Sequence, residues 1–248
     1  MTCLLRSFKA CADALLFIAG IALVVSMSTP QLLRTQSELN MGYRFDAQFD
    51  IGAMQFCYRI VTKNEDKKWE TTACSLIGLR NSCNATVNVR VTDDEAGDLP
   101  IKSLYGDPDK CDEHKTLVAL GWGACAVAAI GILVGILASS NCCCTCSVKQ
   151  QSLWGFIFSL LAGALAAGAA VLTVDLCGWA HEGEGRRVPF FVLNQGKPEF
   201  GYSFWFLSSG VVLYALSAVA HLCACLCSGG SSFRGARGNS GHLLQQPV

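Results

Sequence analysis

Charge is scarce in this chain, and unevenly so. Asp, Glu, Lys and Arg make up 15% of its 248 residues. Three long runs, Thr116 to Ala138, Trp154 to Val174 and Phe204 to Leu226, contain none of them. About 20 apolar residues at 1.5 Å rise just cross a bilayer core, so three such runs exclude an ordinary soluble domain and predict a polytopic membrane protein. Histidine is also sparse: His114, His181, His221 and His242 are scattered, and there is no HExxH, no GxSxG and no acid pair on one helix. Those absences argue against an enzyme, and no cofactor or resident metal is expected. His181 beside Glu182 and Glu184 comes nearest to an acid–base or metal cluster and reads as a solvated loop. The spans hold almost no ionisable groups to offer along a transport path, with His221 the one deep candidate, which argues against a transporter or channel. Lys plus Arg and Asp plus Glu both number 19, a balance that points to no partner class, and no nucleic-acid partner is expected.

A shorter apolar stretch, Ala14 to Met27, lies near the N-terminus behind Arg6 and Lys9. It fits either a retained span beginning at Ala10 or a cleaved signal ending near Ser26-Met27-Ser28. Asp13 interrupts the apolar region, and four helices pack more readily than three, so the retained span is preferred. The expected layout is a cytosolic N-terminus (1–9), a first span (10–28), a long outer loop (29–115), a second span (116–138) and a cysteine-rich cytosolic connection (139–152). A third span (153–175), a second outer loop (176–202), a fourth span (203–227) and a cytosolic tail (228–248) follow. Gly131 and Gly135 form a GxxxG, and Ala162, Ala166 and Ala170 repeat a small residue every fourth position. Such faces let helix backbones approach and are expected to touch other helices or a second copy.

The 15 cysteines fall into two populations. Cys57, Cys74, Cys83 and Cys111 are dispersed through the long loop among polar residues, as disulfides in an oxidising compartment are. Cys74 with Cys83 is the expected single bridge, leaving Cys57 to Cys111 or to Cys177. Cys142, Cys143, Cys144 and Cys146 crowd the short connection, and Cys223, Cys225 and Cys227 end the last span. Juxtamembrane clusters of this kind are typical of S-acylation, with Cys3 and Cys11 as further candidates. Zinc is the alternative, but the 142–146 cluster has no histidine and lacks CxxC spacing. Asn84-Ala85-Thr86 is a glycosylation sequon in the loop that carries the dispersed cysteines.

Three segments of that loop read as strands: Ala53 to Thr62, Trp69 to Leu79, and Ala85 to Thr92. Together they predict a small antiparallel sheet, stapled by disulfides and carried by a bundle of four transmembrane helices. Asp93 to Pro100 and Tyr105 to Asp109 read as acidic turns and lack the spaced D-x-D-x-D-G pattern of a calcium loop. The second loop is rich in glycine and aromatics (Trp179, Phe190, Phe191, Phe200), which suit an interfacial belt or packing against the sheet. The tail ends Gln246-Pro247-Val248, without the Ser or Thr that a PDZ groove prefers.

The segment Cys74-Ser75-Leu76-Ile77-Gly78-Leu79-Arg80-Asn81-Ser82-Cys83 resembles the signature of the amastins, surface glycoproteins of kinetoplastid parasites within the claudin-like tetraspan superfamily. Cys74, Ser75, Leu76, Gly78, Arg80 and Cys83 fit it, while Ile77 replaces an aromatic and the spacing is one residue shorter. Thr29-Pro30 after the first span, Cys111 before the second and Phe200 to Phe204 opening the last resemble elements of the same family. The resemblance implies a non-enzymatic multi-pass glycoprotein of the plasma membrane, with both termini cytosolic. It would act in contact with host or neighbouring-cell surfaces or in membrane organisation, associating laterally among membrane lipids. A claudin-like tetraspan for adhesion, junctions or paracellular pores is the alternative implied by Gly78-Leu79-Arg80 before Cys83.

Overall fold

The computed structural model describes residues 2–40, 44–64, 67–76, 86–90, 96–100, 108–139, 148–182 and 199–229, and the structural statements below concern these. Its frame is four helices, α1 (Thr2–Ser28), α2 (Pro108–Ser139), α3 (Val148–Glu182) and α4 (Tyr202–Gly229). Each contains a stretch long and apolar enough to cross a membrane: Ser7–Ser28, Cys111–Ala138, Val148–Cys177 and Tyr202–Cys227. Local chemistry sets several ends. At the close of α1 the Thr29 hydroxyl donates to the Val25 carbonyl at 2.8 Å, and Pro30 cannot continue the helix. Pro108 occupies the first position of α2, where a missing N–H costs nothing.

The helices form a ring in which α1 and α3 each pack on both α2 and α4. Alanines share the interior of the bundle with Leu16, Leu23, Met27, Leu117, Leu207 and Tyr214, while many other large apolar side chains face outward. Ala12, Ala19, Ala124, Ala128, Ala162, Ala166, Ala169 and Ala224 are buried, while Leu133, Ile136, Leu160, Val171, Trp205, Val212, Val219 and Leu226 point outward. Small residues inside bring backbones close, and an apolar exterior this extensive needs hydrocarbon around it. The expected small-residue contacts hold at Gly131, where an added Cβ would come 2.8 Å from Phe158, and at Ala162 and Ala166, both fully buried. Gly135 differs: an added Cβ would meet nothing within 4 Å, so only half of the GxxxG packs between these helices.

Between α1 and α2 the chain builds strands β1 (Leu33–Asn40), β2 (Arg44–Ile51), β3 (Gln55–Asn64), β4 (Lys67–Leu76), β5 (Thr86–Arg90) and β6 (Ala96–Pro100). The two-residue β7 (Glu199–Phe200) immediately precedes α4. Five strands form one antiparallel sheet in the order β4-β3-β2-β1-β7, and β5 pairs with β6 separately. Only β3, β4 and β5 were expected. β1 and β2 add a hairpin ahead of them. β6 replaces part of the acidic turn expected over Asp93 to Pro100, because its backbone completes the ladder with β5 from Thr86↔Pro100 to Arg90↔Ala96. Likewise Pro108 and Asp109 belong to α2, not to a turn.

Candidate functional site

The sheet has two unlike faces, and its register says which residues share each. Phe49, Phe56, Tyr58 and Ile60 lie on one face and are buried, with the Phe49 and Phe56 rings stacked at 6.0 Å. The opposite face carries Arg34, Gln48, Asp50, Cys57, Arg59, Glu70, Thr72 and Cys74. At its outer edge Arg59 Nη2 pairs with Glu70 Oε1 at 2.6 Å, and both are solvent-accessible. Thr72 and Cys74 are also exposed. Cys57 sits directly opposite Cys74 in the β3–β4 ladder, Cα to Cα 4.1 Å, and the two form a disulfide.

That bridge corrects the expected Cys74–Cys83 pairing. Cys57 and Cys74 face each other across two adjacent strands, so the ladder register, not closeness in sequence, chose the partner. Cys111 is disulfide-bonded as well. Cys177 is not bridged: it carries a thiol buried in the core beside Leu176, facing the bundle. Cys83, Asn84, Gly78, Arg80 and Cys142, Cys143, Cys144 and Cys146 lie outside the described residues, as do Cys3's side chain and the Val248 tail. Ser75 and Leu76 end β4. Cys223 and Cys227 are exposed thiols one helical turn apart on α4, Cys225 is half-buried, and Cys11 is exposed on α1. His181 and Glu182 end α3, and no cluster of three or more potential metal-binding side chains occurs among the described residues.

Where the sheet meets the bundle, a polar clamp joins the end of α1 to the start of α4. Ser26 Oγ donates to the Ser203 carbonyl at 2.7 Å, and the Thr29 and Ser203 hydroxyls lie 2.5 Å apart. Backbone bonds run from Gly201 N to Leu32 O and from Ser203 N to Gln31 O, both 3.1 Å, and from Leu32 N to Ile51 O at 3.0 Å. Two glycines make this approach possible. An added Cβ on Gly52 would lie 2.5 Å from the Pro30 Cα and the Thr29 carbonyl oxygen, and one on Gly201 would overlap the Gln31 carbonyl oxygen.

Above the clamp, Asp50 is nearly buried and accepts from Arg34 Nε at 2.8 Å, Gln48 Nε2 at 3.1 Å and Gln31 Nε2 at 3.2 Å. The hydrogen bond to Asp50, opposed by partial desolvation, holds the Arg34 guanidinium above its ordinary pKa. Arg34 also stands opposite Glu199 in the β1–β7 register, so the second loop is tied into the same network. Neither β7 nor this network was anticipated from sequence. The one available signal was the polar set Gln31, Arg34, Gln48 and Asp50, which gains meaning only once β1 and β2 are in register.

No family model matches the chain, and no curated protein matches it.

Proposed function

We propose that the protein is a non-enzymatic, multi-pass component of the plasma membrane that presents the polar face of its five-stranded sheet outside the cell as a recognition surface. On this reading both termini are cytosolic and the chain is an amastin-like surface glycoprotein acting in contact with a host or neighbouring membrane. The observation that carries it is the clamp: β7 enters the sheet beside β1 and leads at once into α4, so the sheet is fixed at two points to the bundle. A sheet anchored this way keeps one orientation, which suits a surface that must meet a partner repeatedly in the same geometry. Its accessible face, with Arg59, Glu70, Thr72 and the Cys57–Cys74 bridge, offers charge, hydroxyl and rigidity but no catalytic constellation.

The test uses full-length protein on intact cells. A membrane-impermeant label should reach a cysteine-free tag placed between β3 and β4 without permeabilisation. Arg59→Glu and Thr72→Arg should lower adhesion to partner membranes while surface amount and the disulfide stay unchanged. Labelling only after permeabilisation would reverse the topology, and adhesion indifferent to both substitutions would remove the sheet face as the recognition surface.

A further inference from the structure

Asp13 lies on α1 within the span Ser7–Ser28, at the end of the bundle away from the sheet. It lies six positions past Ser7, so its Cα stands about 9 Å along the helix from the start of that apolar stretch. An ionisable group at such a depth is costly and marks a functional site unless fully paired. Lys9 Nζ satisfies Oδ2 at 2.8 Å. His221 Nε2 stands 3.6 Å from Oδ1, beyond hydrogen-bond distance. His221 is fully buried, its ring lies against Gly155, and both of its nitrogens lack a hydrogen-bond partner among the described residues. The site therefore holds a half-exposed carboxylate, with Oδ2 bonded to Lys9 and Oδ1 open toward the surface, and beside it a buried imidazole whose nitrogens make no hydrogen bond among the described residues.

Asp13 opens onto a groove of about 490 Å³ between α1 and α2, walled by Leu16, Phe17, Gly131, Gly135 and Ile136. Small-molecule sites occupy about 300–1,000 Å³, so this one holds one compact molecule and not a whole two-chain phospholipid. Residue numbers rise along α1 and fall along α2 in the direction of the bilayer middle. Asp13, Gly135 and Ile136 thus form the surface end of the groove, and Leu16, Phe17 and Gly131 the deep end. A polar acceptor at the surface end and an apolar slot below it is the arrangement that receives an amphiphile of the same leaflet. Gly131 packs its bare Cα against Phe158 of α3, and Gly135, where an added Cβ would meet nothing within 4 Å, leaves the surface end of this wall without a side chain. With Oδ2 held by Lys9, the other carboxylate oxygen can accept a bond from a hydroxyl.

We propose that this groove binds a sterol, whose single hydroxyl donates to Asp13 Oδ1 while the rigid ring system lies along Gly131 and Gly135 between Leu16, Phe17 and Ile136. The proposal rests on reading the helices as membrane spans. Alkaline extraction tests that separately: release of the protein from membranes would sink both readings, whereas retention leaves the sterol site to be judged by itself.

The experiment reconstitutes full-length protein in phosphatidylcholine nanodiscs containing a photoactivatable sterol with a free hydroxyl. Crosslinks should map to peptides containing Asp13 to Phe17 and Gly131 to Ile136. Unlabelled sterol should compete, and its O-methyl ether, which cannot donate, should not. Asp13→Asn should weaken labelling by about tenfold, since a hydrogen bond to a charged group is worth about 1.5–3 kcal/mol and 1.4 kcal/mol is tenfold. Gly135→Leu adds bulk where a Cβ meets nothing, so it should block the groove while the Cys57–Cys74 bridge and thermal stability persist. Equal competition by the ether, labelling unchanged in both variants, or α2-to-α2 crosslinks between two copies at Ile136→Cys would overturn the proposal.

Discussion

Replacing Gly201 by alanine adds one methyl group and should nevertheless unfasten the sheet from the bundle. The added Cβ would overlap the Gln31 carbonyl oxygen, lie 2.7 Å from the Gln31 carbonyl carbon and 2.9 Å from its Cβ. Two of these atoms are backbone, so no side-chain rotation relieves the clash, and the strand before α4 must move away from the chain leaving α1. That movement breaks the Gly201–Leu32 and Ser203–Gln31 backbone bonds, worth about 1 kcal/mol each, and overpacking adds about 1–3 kcal/mol. The expected loss is about 3–5 kcal/mol of local stability. Amide hydrogen exchange in lipid should therefore rise by about a hundredfold or more at β1, β7 and the first turn of α4. Exchange in the middle of α3 should stay at the wild-type rate. Gly135→Ala is the control, because it removes a helix-interior glycine into open space and should be neutral or stabilising by up to about 1 kcal/mol. Exchange in Gly201→Ala within about twofold of wild type would refute the clamp. Equal damage from Gly135→Ala would show that the effect belongs to glycine generally.

Breaking the β3–β4 bridge with Cys57→Ser and Cys74→Ser together opens a loop of sequence separation 17 and should cost about 3 kcal/mol, read as lower resistance of the outer domain to protease. Asp50→Ala strands Arg34, Gln31 and Gln48, all partly open to water, and should cost about 1.5–3 kcal/mol in thermal unfolding, whereas Asp50→Asn should recover part of it. In the bundle, Ser217 Oγ bonds the Ala12 carbonyl at 2.9 Å and lies 3.0 Å from Ser159 Oγ, so Ser217→Ala should lower detergent-phase stability by about 0.6–1.7 kcal/mol. Serine at Cys142, Cys143, Cys144 and Cys146 should leave the protein in the membrane but reduce hydroxylamine-sensitive lipid labelling. What labelling remains should fall on exposed Cys223 and Cys227 more than on half-buried Cys225.

The helices were legible in the sequence because a bilayer reads only length and charge, both of which are local. β3, β4 and β5 were legible from apolar and β-branched runs. β2 carries an equally clear period-two signal, with Phe45, Ala47, Phe49 and Ile51 alternating with Arg44, Asp46, Gln48 and Asp50, and the three-strand expectation leaves it out. β7 has no such signal. Two residues become a strand only because β1 offers a free edge beside the start of α4, which is a tertiary cause. The disulfide partner was likewise set by register: four dispersed cysteines point to an oxidising compartment, but only the β3–β4 ladder joins Cys57 to Cys74. Asp13 and His221 stand near opposite ends of the chain, and the ring of helices alone brings them to 3.6 Å.

The cysteine chemistry and the helix ring bear on the same question of sidedness. Cys57, Cys74 and Cys111 are oxidised and lie in the sheet or at the start of α2 beside it. Cys11, Cys223, Cys225 and Cys227 are thiols at the far end of α1 and α4, two helices that pack on each other, while the other thiols among the described residues, Cys125 and Cys177, lie within α2 and α3. A chain whose two ends sit in compartments of opposite redox poise would show this division, because glutathione keeps thiols reduced on one side while bridges persist on the other. On the proposed orientation, with the sheet outside and the termini cytosolic, the bridged cysteines would face the oxidising side, and the thiol of Cys177 would escape bridging because it is buried in the core. The division also makes the orientation testable without a tag: thiol labelling in intact cells should spare Cys11, Cys223 and Cys227 until the membrane is permeabilised. Modification of those thiols by an impermeant reagent on intact cells would place the sheet inside and remove the basis for a recognition role.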